Sequence, residues 1–330
     1  MSTSDPSIRP IYSHDQLIAY YDRIALPEHH HHTPGEKSKA VANSAAGLDY
    51  LAALQRYTLS SIPFENLELH YSRYRLILID PQSLYDKIIA RGNGRGGYCM
   101  ENNCFFETCL RSLGFQVMST GARVNEGRSF ARSGSAGDGW EGPKYGGWAH
   151  MINIVTIQNN RYMVDVGFGS SGPTHPIPLI HNQPTINVPP NQWVRLDYAN
   201  IPDNTSTDQK LWAFEYRNSE SDSWMSNYCF SELEFLPSDY AVMNHFTSTS
   251  RTSFFTYSVI CVRMVMEDDR IVGDVTLFNK DIKRRIAGKS EVLVEIASED
   301  DRVKALDRYL GVRLSDAEKS GIGKTTSAIS

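Results

Sequence analysis

The sequence predicts an α+β fold in which helices come first, an antiparallel sheet or barrel follows, and a mixed α/β segment closes the chain. Two patterns indicate it. Apolar residues recur at helical spacing in roughly the first hundred residues, and short runs rich in β-branched residues follow. The length of 330 residues, of which 41% are hydrophobic and 22% charged, suffices for about two or three structural units around a sizeable core.

The charge balance and the cysteine content exclude several partners and compartments. A net charge of −5 and a pI of about 6.1 argue against nucleic acid or an anionic membrane as the main partner. No apolar run approaches the roughly 18 residues of a membrane helix, and Met1–Pro10 lacks a secretory signal. Five cysteines, a small and odd number, favour a reduced compartment over a disulfide framework. We therefore expect a cytoplasmic protein that binds neither nucleic acid nor membrane.

Helical spacing of apolar residues predicts helices over Asp15–Leu26 and Gly47–Ser60, and a proline in the first turn predicts another over Pro81–Arg91. The polar stretch His29–Ala40 is typical of a loop. Its His29–His32 run has no preformed geometry for a metal ion, so we predict no metal site there.

A glycine-rich loop, Gly92–Gly97, leads into a helix predicted over Cys99–Leu113, which Gly114 ends. The loop matches the dinucleotide-binding fingerprint as a string. It follows a helix rather than a strand, so we reject that interpretation. The three cysteines of the helix fall on different faces, which argues against a zinc site.

Runs of β-branched and apolar residues predict strands over Val117–Asn125, Met151–Ile157 and Arg161–Val166. A long loop rich in glycine and serine, Asn125–Gly147, interrupts them. The short turn at Gln158–Asn160 predicts that the last two strands form a hairpin.

Beyond the hairpin, the sequence predicts a mixed segment. Further strands follow a proline-rich stretch at 173–190 and are predicted around 193–195, 212–216 and 258–265. A closing helix is predicted over Ser298–Leu310, with Ser298 as its cap and Asp301 three residues on. The polar end, Ser315–Ser330, is typical of a frayed terminus.

Cys99 is the most informative candidate for chemistry because it lies where the glycine-rich loop meets a helix N-terminus. Unpaired backbone N–H groups and the positive end of the helix dipole favour thiolate over thiol there. The same N–H groups can hold an oxyanion. The alternative is a small buried core residue, which is the usual fate of a free cysteine.

A thiol nucleophile needs a base, and the base needs an orienting carboxylate. His150 precedes one strand of the predicted hairpin, and Asp165 lies on the other within an apolar run. If the turn centres between Gln158 and Asn159, the two side chains share a face as diagonal neighbours, roughly 7 Å apart at Cβ. A turn centred one residue later would need a bulge to bring them into hydrogen-bond range. We predict the first register or a bulged variant.

Glu65 and Arg95 form a second candidate pair. Glu65 follows the apolar Pro63–Phe64, and Arg95 lies four residues before Cys99. Solvated surface charges are the alternative, but the apolar context favours a partly buried ion pair that fixes the loop before Cys99.

These residues lie within recognisable motifs. The run RGGYCMENN around Cys99 resembles the nucleophile signature of the arylamine N-acetyltransferase family, in a fungal-type form. The resemblance continues in IPFENL at 62–67, in His150 at the head of a strand, in VDVGFG at 164–169, and in NHFTST at 244–249 with Ser253 and Phe254. The motifs occur in the family's order and span about two-thirds of the chain.

The resemblance implies a helical bundle over 1–115 that carries the nucleophile, an antiparallel β-barrel over 116–235 that carries the histidine and aspartate, and an α/β lid over 236–330. It implies a cysteine-protease-like triad of Cys99, His150 and Asp165, with Arg95 and Glu65 as a buried supporting pair. Family members take an acyl group from acyl-CoA onto the cysteine and pass it to an arylamine or arylhydrazine nitrogen. They use no permanently bound cofactor, and no metal is expected.

The resemblance also implies where the substrates bind. Coenzyme A contacts map to Gly146, Gly147, Trp148, Phe168, Gly169, Thr247, Ser248 and Ser253. Candidates for the apolar acceptor wall are Phe64, Tyr98 and Phe168.

The predicted function is acetyl transfer from acetyl-CoA by a ping-pong mechanism, with malonyl-CoA as the alternative donor because some fungal members prefer it. Met100 stands where many members have an aromatic residue, and the loop Asn125–Gly147 is longer than in compact bacterial members, which leaves acceptor selectivity open. Two rival functions use the same residues. One is a papain-like thiol hydrolase, and the other is a non-catalytic binding module that retains the residues of a formerly active site.

Overall fold

The computed structural model describes residues 8–127, 142–323 and 325–329. Its N-terminal part is helical, as predicted, and contains α1 (His14–Ile24), α2 (Glu36–Ala42), α3 (Gly47–Ser61), the short strand β1 (Phe64–Glu65), α4 (Glu68–Tyr71), α5 (Pro81–Tyr85) and α6 (Cys99–Ser112). A 3₁₀ turn at Glu28–His30 precedes α2, and a π-helical turn at Asp86–Ala90 continues α5. All of these helices except α4 share an apolar core with side chains from the first strands of the sheet that follows.

The stretch His29–Ala40, predicted to be a loop, contains most of α2, so that expectation is wrong. In its first turn the Gly35 N–H donates to Ser38 Oγ at 3.1 Å. At its end Asn43 Nδ2 donates to the carbonyl of Gly114 at 3.0 Å, which ties α2 to the end of α6. A helix of seven residues is too short to leave a clear periodic signal in the sequence.

An eight-stranded antiparallel sheet comes next, and its strands are β2 (Gln116–Asn125), β3 (Tyr145–Ile157), β4 (Asn160–Val164), β5 (Ile177–Pro178), β6 (Thr185–Val188), β7 (Gln192–Ala199), β8 (Leu211–Arg217) and β9 (Met225–Phe230). The strand order is β5-β4-β3-β2-β9-β8-β7-β6. Because β3 begins at Tyr145, the last part of the predicted loop Asn125–Gly147 is strand. Residues 128–141 of that loop lie outside the described residues.

β3 and β4 form the predicted hairpin in the first of the two registers considered. Their pairing begins at Ile157 and Asn160. The two turn residues between them have φ values of 47° and 67°, the left-handed conformation that a two-residue hairpin turn uses. Because side chains alternate along a strand, this register directs His150 and Asp165 to one face of the sheet.

The sheet is curled but not closed. Apolar side chains from β2, β3, β4, β5, β7, β8 and β9 share one core on its inner face. Among the described residues the edge strands β5 and β6 do not pair with each other, so the implied barrel is an open half-barrel. These edge strands have only two and four residues, which leaves few backbone groups to close a ladder.

The C-terminal part is mixed α/β, as predicted, and contains α7 (Pro237–Thr249), β10 (Ile260–Glu267), β11 (Arg270–Phe278), β12 (Asp281–Ile286), β13 (Lys289–Glu295), α8 (Glu299–Ala305) and α9 (Asp316–Gly321). Its antiparallel sheet has the order β1-β10-β11-β12-β13, so the N-terminal part supplies one edge. Ser298 caps α8 by accepting from the N–H of Asp301 at 3.2 Å, as predicted. Within the described ranges, no helix has the length and apolarity that crossing a membrane requires.

The prediction that Ser315–Ser330 is frayed is wrong for its described residues. Ser315 and Glu318 cap α9 reciprocally. Ile322 and Ile329 are buried in the core beneath the C-terminal sheet. The segment is mostly polar, and these few apolar anchors are too widely spaced to reveal its packing in the sequence.

Candidate active site

Cys99 is the first residue of α6, where the prediction placed the helix start. Only 3% of its surface is exposed. Its Sγ lies 3.6 Å from the carbonyl oxygen of Ala149, the residue before His150. Glu101 Oε2 accepts from the N–H of Tyr98 at 3.0 Å and thereby fixes the entry into the helix. The sulfur is therefore held between the start of α6 and strand β3.

His150 and Asp165 are joined by a hydrogen bond of 2.7 Å between Nε2 and Oδ2. Both residues are almost fully buried. They lie just beyond the last paired residues of the β3–β4 ladder, on the face that the register predicts. The structure thus brings the three residues of the predicted triad to one place.

Asn103 and Gly167 hold Asp165 in position. Its Oδ1 accepts from Asn103 Nδ2 at 2.9 Å and from the Gly167 N–H at 2.8 Å. Asn103 Oδ1 also accepts from the N–H of Val166 at 3.0 Å, so one helical side chain binds the end of β4 twice. A Cβ at Gly167 would lie 2.7 Å from the Cα of Cys99, so only glycine permits this approach. The sequence shows Asn103 in the motif, but its role is visible only in the structure.

Burial and charge shift the pKa values of His150 and Asp165 in opposite directions. Burial lowers the pKa of His150, but the charge and hydrogen bond of Asp165, with a smaller contribution from Cys99, raise it to about 10. Burial raises the pKa of Asp165, but His150 and the donors from Asn103 and Gly167 bring it below its ordinary value. At neutral pH the pair is therefore an imidazolium and a carboxylate.

Two aromatic rings enclose the imidazole. The rings of Phe168 and Tyr228 lie 5.1 and 5.0 Å from the ring of His150, centroid to centroid. Tyr228 is fully buried, and burial followed by the charge of Asp165 raises the pKa of its hydroxyl well above the ordinary value. Tyr228 lies in β9, far along the chain from the triad, so no local pattern identified it.

Glu65 and Arg95 form the predicted ion pair, and both are fully buried rather than partly. Arg95 Nε donates to Glu65 Oε1 at 2.9 Å. The same carboxylate accepts from the backbone N–H groups of Gly96 at 3.3 Å and Leu67 at 2.6 Å. Burial raises the pKa of Glu65, but Arg95 and Lys87 outweigh it and lower the pKa to about 2. The pair therefore fixes the loop before Cys99.

The buried charge network extends beyond the predicted pair. Lys87 Nζ donates to Glu101 at 2.7 Å and lies 3.5 Å from Glu65. Burial raises the pKa of Glu101 although Lys87 opposes the shift. Arg95 also binds Glu68 and Glu318. The contacts of Lys87, Glu101 and Glu318 with this network were not predictable, because no motif in the sequence links the three residues.

Three of the residues predicted to line the substrate pockets lie near Cys99. Phe64, Tyr98 and Trp148 belong to the same apolar cluster as Cys99. Tyr98 is fully buried, and its hydroxyl donates to the side chain of Asn244 on α7. Phe168 packs instead against the core on the inner face of the curled sheet.

The residues predicted to contact coenzyme A lie in three stretches of the chain. Gly146, Gly147 and Trp148 lie on β3, and Arg123 Nη1 donates to the carbonyl of Gly146 at 3.0 Å. In the second stretch, Thr247 and Ser248 lie at the end of α7, and Ser253 precedes the 3₁₀ turn Phe254–Thr256. In the third, Phe168 and Gly169 follow β4, and Gly169 lies beside the ring of Phe64.

In the histidine run His29–His32, the rings of His29 and His30 lie 4.2 Å apart, centroid to centroid, and the other two make separate contacts. The ring of His31 bonds the carbonyl of Leu26 at 2.6 Å, and the ring of His32 packs against Tyr50. Among the residues that the structure describes, no group of three or more histidine, cysteine or acidic side chains comes together as a metal site.

Comparison with known proteins agrees with this architecture. A family model described as N-acetyltransferase matches residues 47–319. The chain is 38% identical to N-malonyltransferase FDB2 of Fusarium pseudograminearum (strain CS3096), over 95% of this chain and 93% of that protein. It is 30% identical to an arylamine N-acetyltransferase of Escherichia coli (strain K12), over 72% of each. The structure of Mycobacterium marinum arylamine N-acetyltransferase in complex with CoA matches with a TM-score of 0.70 at 23% identity, over 94% of this chain and 99% of that one. The chain therefore belongs to the arylamine N-acetyltransferase family.

Proposed function

We propose that the protein is an arylamine N-acyltransferase that works in two half-reactions through an acyl-Cys99 thioester. The observation that carries this proposal is the buried His150–Asp165 pair beside a cysteine at the N-terminus of α6. The raised pKa of His150 keeps the imidazole protonated at neutral pH. A positive charge beside the sulfur favours the thiolate, which is the nucleophile.

In the first half-reaction the Cys99 sulfur attacks the carbonyl carbon of the acyl-CoA thioester. The bond from that carbon to the CoA sulfur breaks, and His150 gives its proton to the departing CoA thiolate. Backbone N–H groups at the start of α6 can stabilise the oxyanion that forms in between. One thioester replaces another, so this step changes the free energy little.

In the second half-reaction the amine nitrogen attacks the Cys99 thioester, and a C–N bond replaces the C–S bond. The nitrogen loses its proton to the neutral His150, which restores the imidazolium–thiolate pair. An arylamine is largely unprotonated at pH 7, whereas an alkylamine is protonated and lacks a free lone pair. The apolar cluster of Phe64, Tyr98 and Trp148 around Cys99 also supports an aromatic acceptor.

Acyl-CoA is the proposed co-substrate, with contacts on Gly146–Trp148, Phe168–Gly169 and the segment Thr247–Ser253. The structure of the Mycobacterium marinum relative in complex with CoA supports this choice. Thr247 supports it as well. Its hydroxyl is buried and has no hydrogen-bond partner among the described residues, so a bound ligand could supply one.

Malonyl-CoA is a second candidate donor beside acetyl-CoA. The relative at 38% identity is named an N-malonyltransferase and matches almost the whole chain, whereas the acetyltransferase at 30% matches less of it. A malonyl group carries a carboxylate, which needs a cation or polar donors when it is buried. Arg123 is a candidate for that role, because its guanidinium lies 4.2 Å from the centre of the Trp148 ring.

Release of free CoA from acetyl-CoA and from malonyl-CoA, measured with and without aniline, tests the proposed function. Without the amine we expect no more than one CoA to be released per protein molecule, because the acyl group then stays on Cys99. Continued release is expected to require the amine, and one donor is expected to exceed the other in kcat/KM by on the order of tenfold or more. Release that is equally fast without the amine would identify a thiol hydrolase. No release from either donor, with or without amine, would favour the binding module.

A further inference from the structure

A segment in the C-terminal part of the protein contacts the loop that precedes Cys99. We call residues Gly92–Tyr98 the nucleophile loop and residues Gly311–Glu318 the C-terminal clamp. The Arg313 N–H donates to the carbonyl of Asn93 at 2.9 Å, and Arg313 Nη2 donates to the carbonyl of Gly92 at 2.8 Å. These two bonds hold the first part of the nucleophile loop against a segment more than 200 residues away in sequence.

Backbone packing reinforces these hydrogen bonds. A Cβ at Gly94 would lie 1.9 Å from the carbonyl oxygen of Gly311 and 2.8 Å from its carbonyl carbon. Gly94 also has a positive φ of 81°. Only glycine therefore allows the clamp and the nucleophile loop to approach so closely.

Glu318 extends the clamp into the buried charge network. Arg95 directs Nε to Glu65 and Nη2 to Glu65 and Glu68, while Nη1 donates to Glu318 Oε1. Glu318 Oε2 accepts from the N–H and the hydroxyl of Ser315, each at 2.8 Å, which fixes the carboxylate on α9. Arg95 is fully buried, so loss of the Glu318 charge would leave one side of the guanidinium without its anionic partner.

A short chain of contacts connects this ion pair to the sulfur. The Glu65 carboxylate that binds Arg95 also accepts from the N–H of Gly96. Two residues later the N–H of Tyr98 is bound by Glu101, and Cys99 follows as the first residue of α6. A displacement of Arg95 would therefore shift the start of α6 relative to His150.

We infer that Glu318 is a positioning residue for Cys99, and that the C-terminal clamp sets the alignment of the nucleophile with His150. The inference rests on the proposed role of Cys99 as the nucleophile. It adds to that function a requirement for helix α9, which the polar sequence of the segment did not indicate.

The test compares Glu318→Gln with Asp316→Asn, since both remove one negative charge from α9. Asp316 is fully exposed and, among the residues that the structure describes, forms an ion pair only with Lys319, so it is the matched control. The rate of Cys99 alkylation by iodoacetamide is measured from pH 5 to pH 9 in the full chain, without any acyl donor. We expect Glu318→Gln to slow alkylation near pH 6 on the order of tenfold and to shift the pH profile to higher pH, with Asp316→Asn like wild type.

Steady-state kinetics give a second measure of the same effect. We expect kcat of Glu318→Gln to fall by a factor similar to the alkylation rate, with KM for the amine unchanged. If Glu318→Gln does not fold, Arg313→Ala serves instead. It removes the side-chain bond to Gly92 and keeps the backbone bond to Asn93, so a smaller change in the same direction is expected.

The inference is overturned if Glu318→Gln has the alkylation rate and pH profile of wild type and only its melting temperature is lowered. Glu318 would then have a merely structural role. The alkylation readout is independent of acyl transfer. If wild type transfers no acyl group but Glu318→Gln still slows alkylation, the proposed function fails and the positioning role stands.

Discussion

Replacement of Cys99 by alanine is expected to lower acyl transfer by at least about 10³-fold and to leave the fold intact. The reason is that the proposed mechanism has no other atom to carry the acyl group. The lost sulfur leaves only a small cavity at the start of α6, so we expect a loss of stability of about 1 kcal/mol. Amine-dependent CoA release measures the activity, and circular dichroism with a thermal melt measures the fold.

Cys104→Ala is the matched control because Cys104 lies on the same helix. Its sulfur contacts the sulfur of Met151 at 3.4 Å and takes no part in the triad. We expect this variant to retain most of the wild-type activity. If Cys99→Ala is folded and keeps more than a trace of transfer, the covalent mechanism is wrong.

Replacement of Asp165 by asparagine is expected to lower kcat by about 10³–10⁴-fold. Burial alone lowers the pKa of His150, and the charge of Asp165 is the largest of the contributions that raise it to about 10. Without that charge the imidazole is neutral at pH 7, so the sulfur loses the positive charge beside it. An amide in place of the carboxylate can also present an N–H to His150 Nε2, which selects the wrong tautomer.

Two measurements check this prediction. The first is kcat, and the second is the rate of Cys99 alkylation at pH 6, which is expected to fall because the imidazolium is lost. Asp197→Asn is the control, since Asp197 pairs with His181 near the protein surface, 3.3 Å away. If Asp165→Asn matches this control in both measurements, Asp165 does not set the charge state of His150.

Local signals in the sequence predicted the parts of the site that lie close together along the chain. Cys99 was placed at a helix start by the glycines before it and the apolar periodicity after it. The shared face of His150 and Asp165 followed from the length of one turn, because a two-residue turn fixes the register of a hairpin. Once that register is given, the alternation of side chains along each strand predicts the shared face without knowledge of the rest of the fold.

Contacts between distant parts of the chain could not be predicted in this way. Tyr228 reaches the imidazole from β9, and Glu318 reaches Arg95 from α9. Asn103 was visible in a motif, but its two bonds to the end of β4 depend on how the sheet docks onto α6. The open edge of the half-barrel likewise depends on strand lengths, which the sequence pattern does not define to the residue.

In the proposed mechanism the Cys99 sulfur carries the acyl group between two substrates. Mass analysis of the intact protein and of its Cys99 peptide, after incubation with acyl-CoA and no amine, detects this intermediate. We predict one added acyl group, located on Cys99, which disappears when aniline is added and reappears as the acylated amine. An unmodified Cys99, or an acyl group that stays on the protein when the amine is present, would contradict this mechanism.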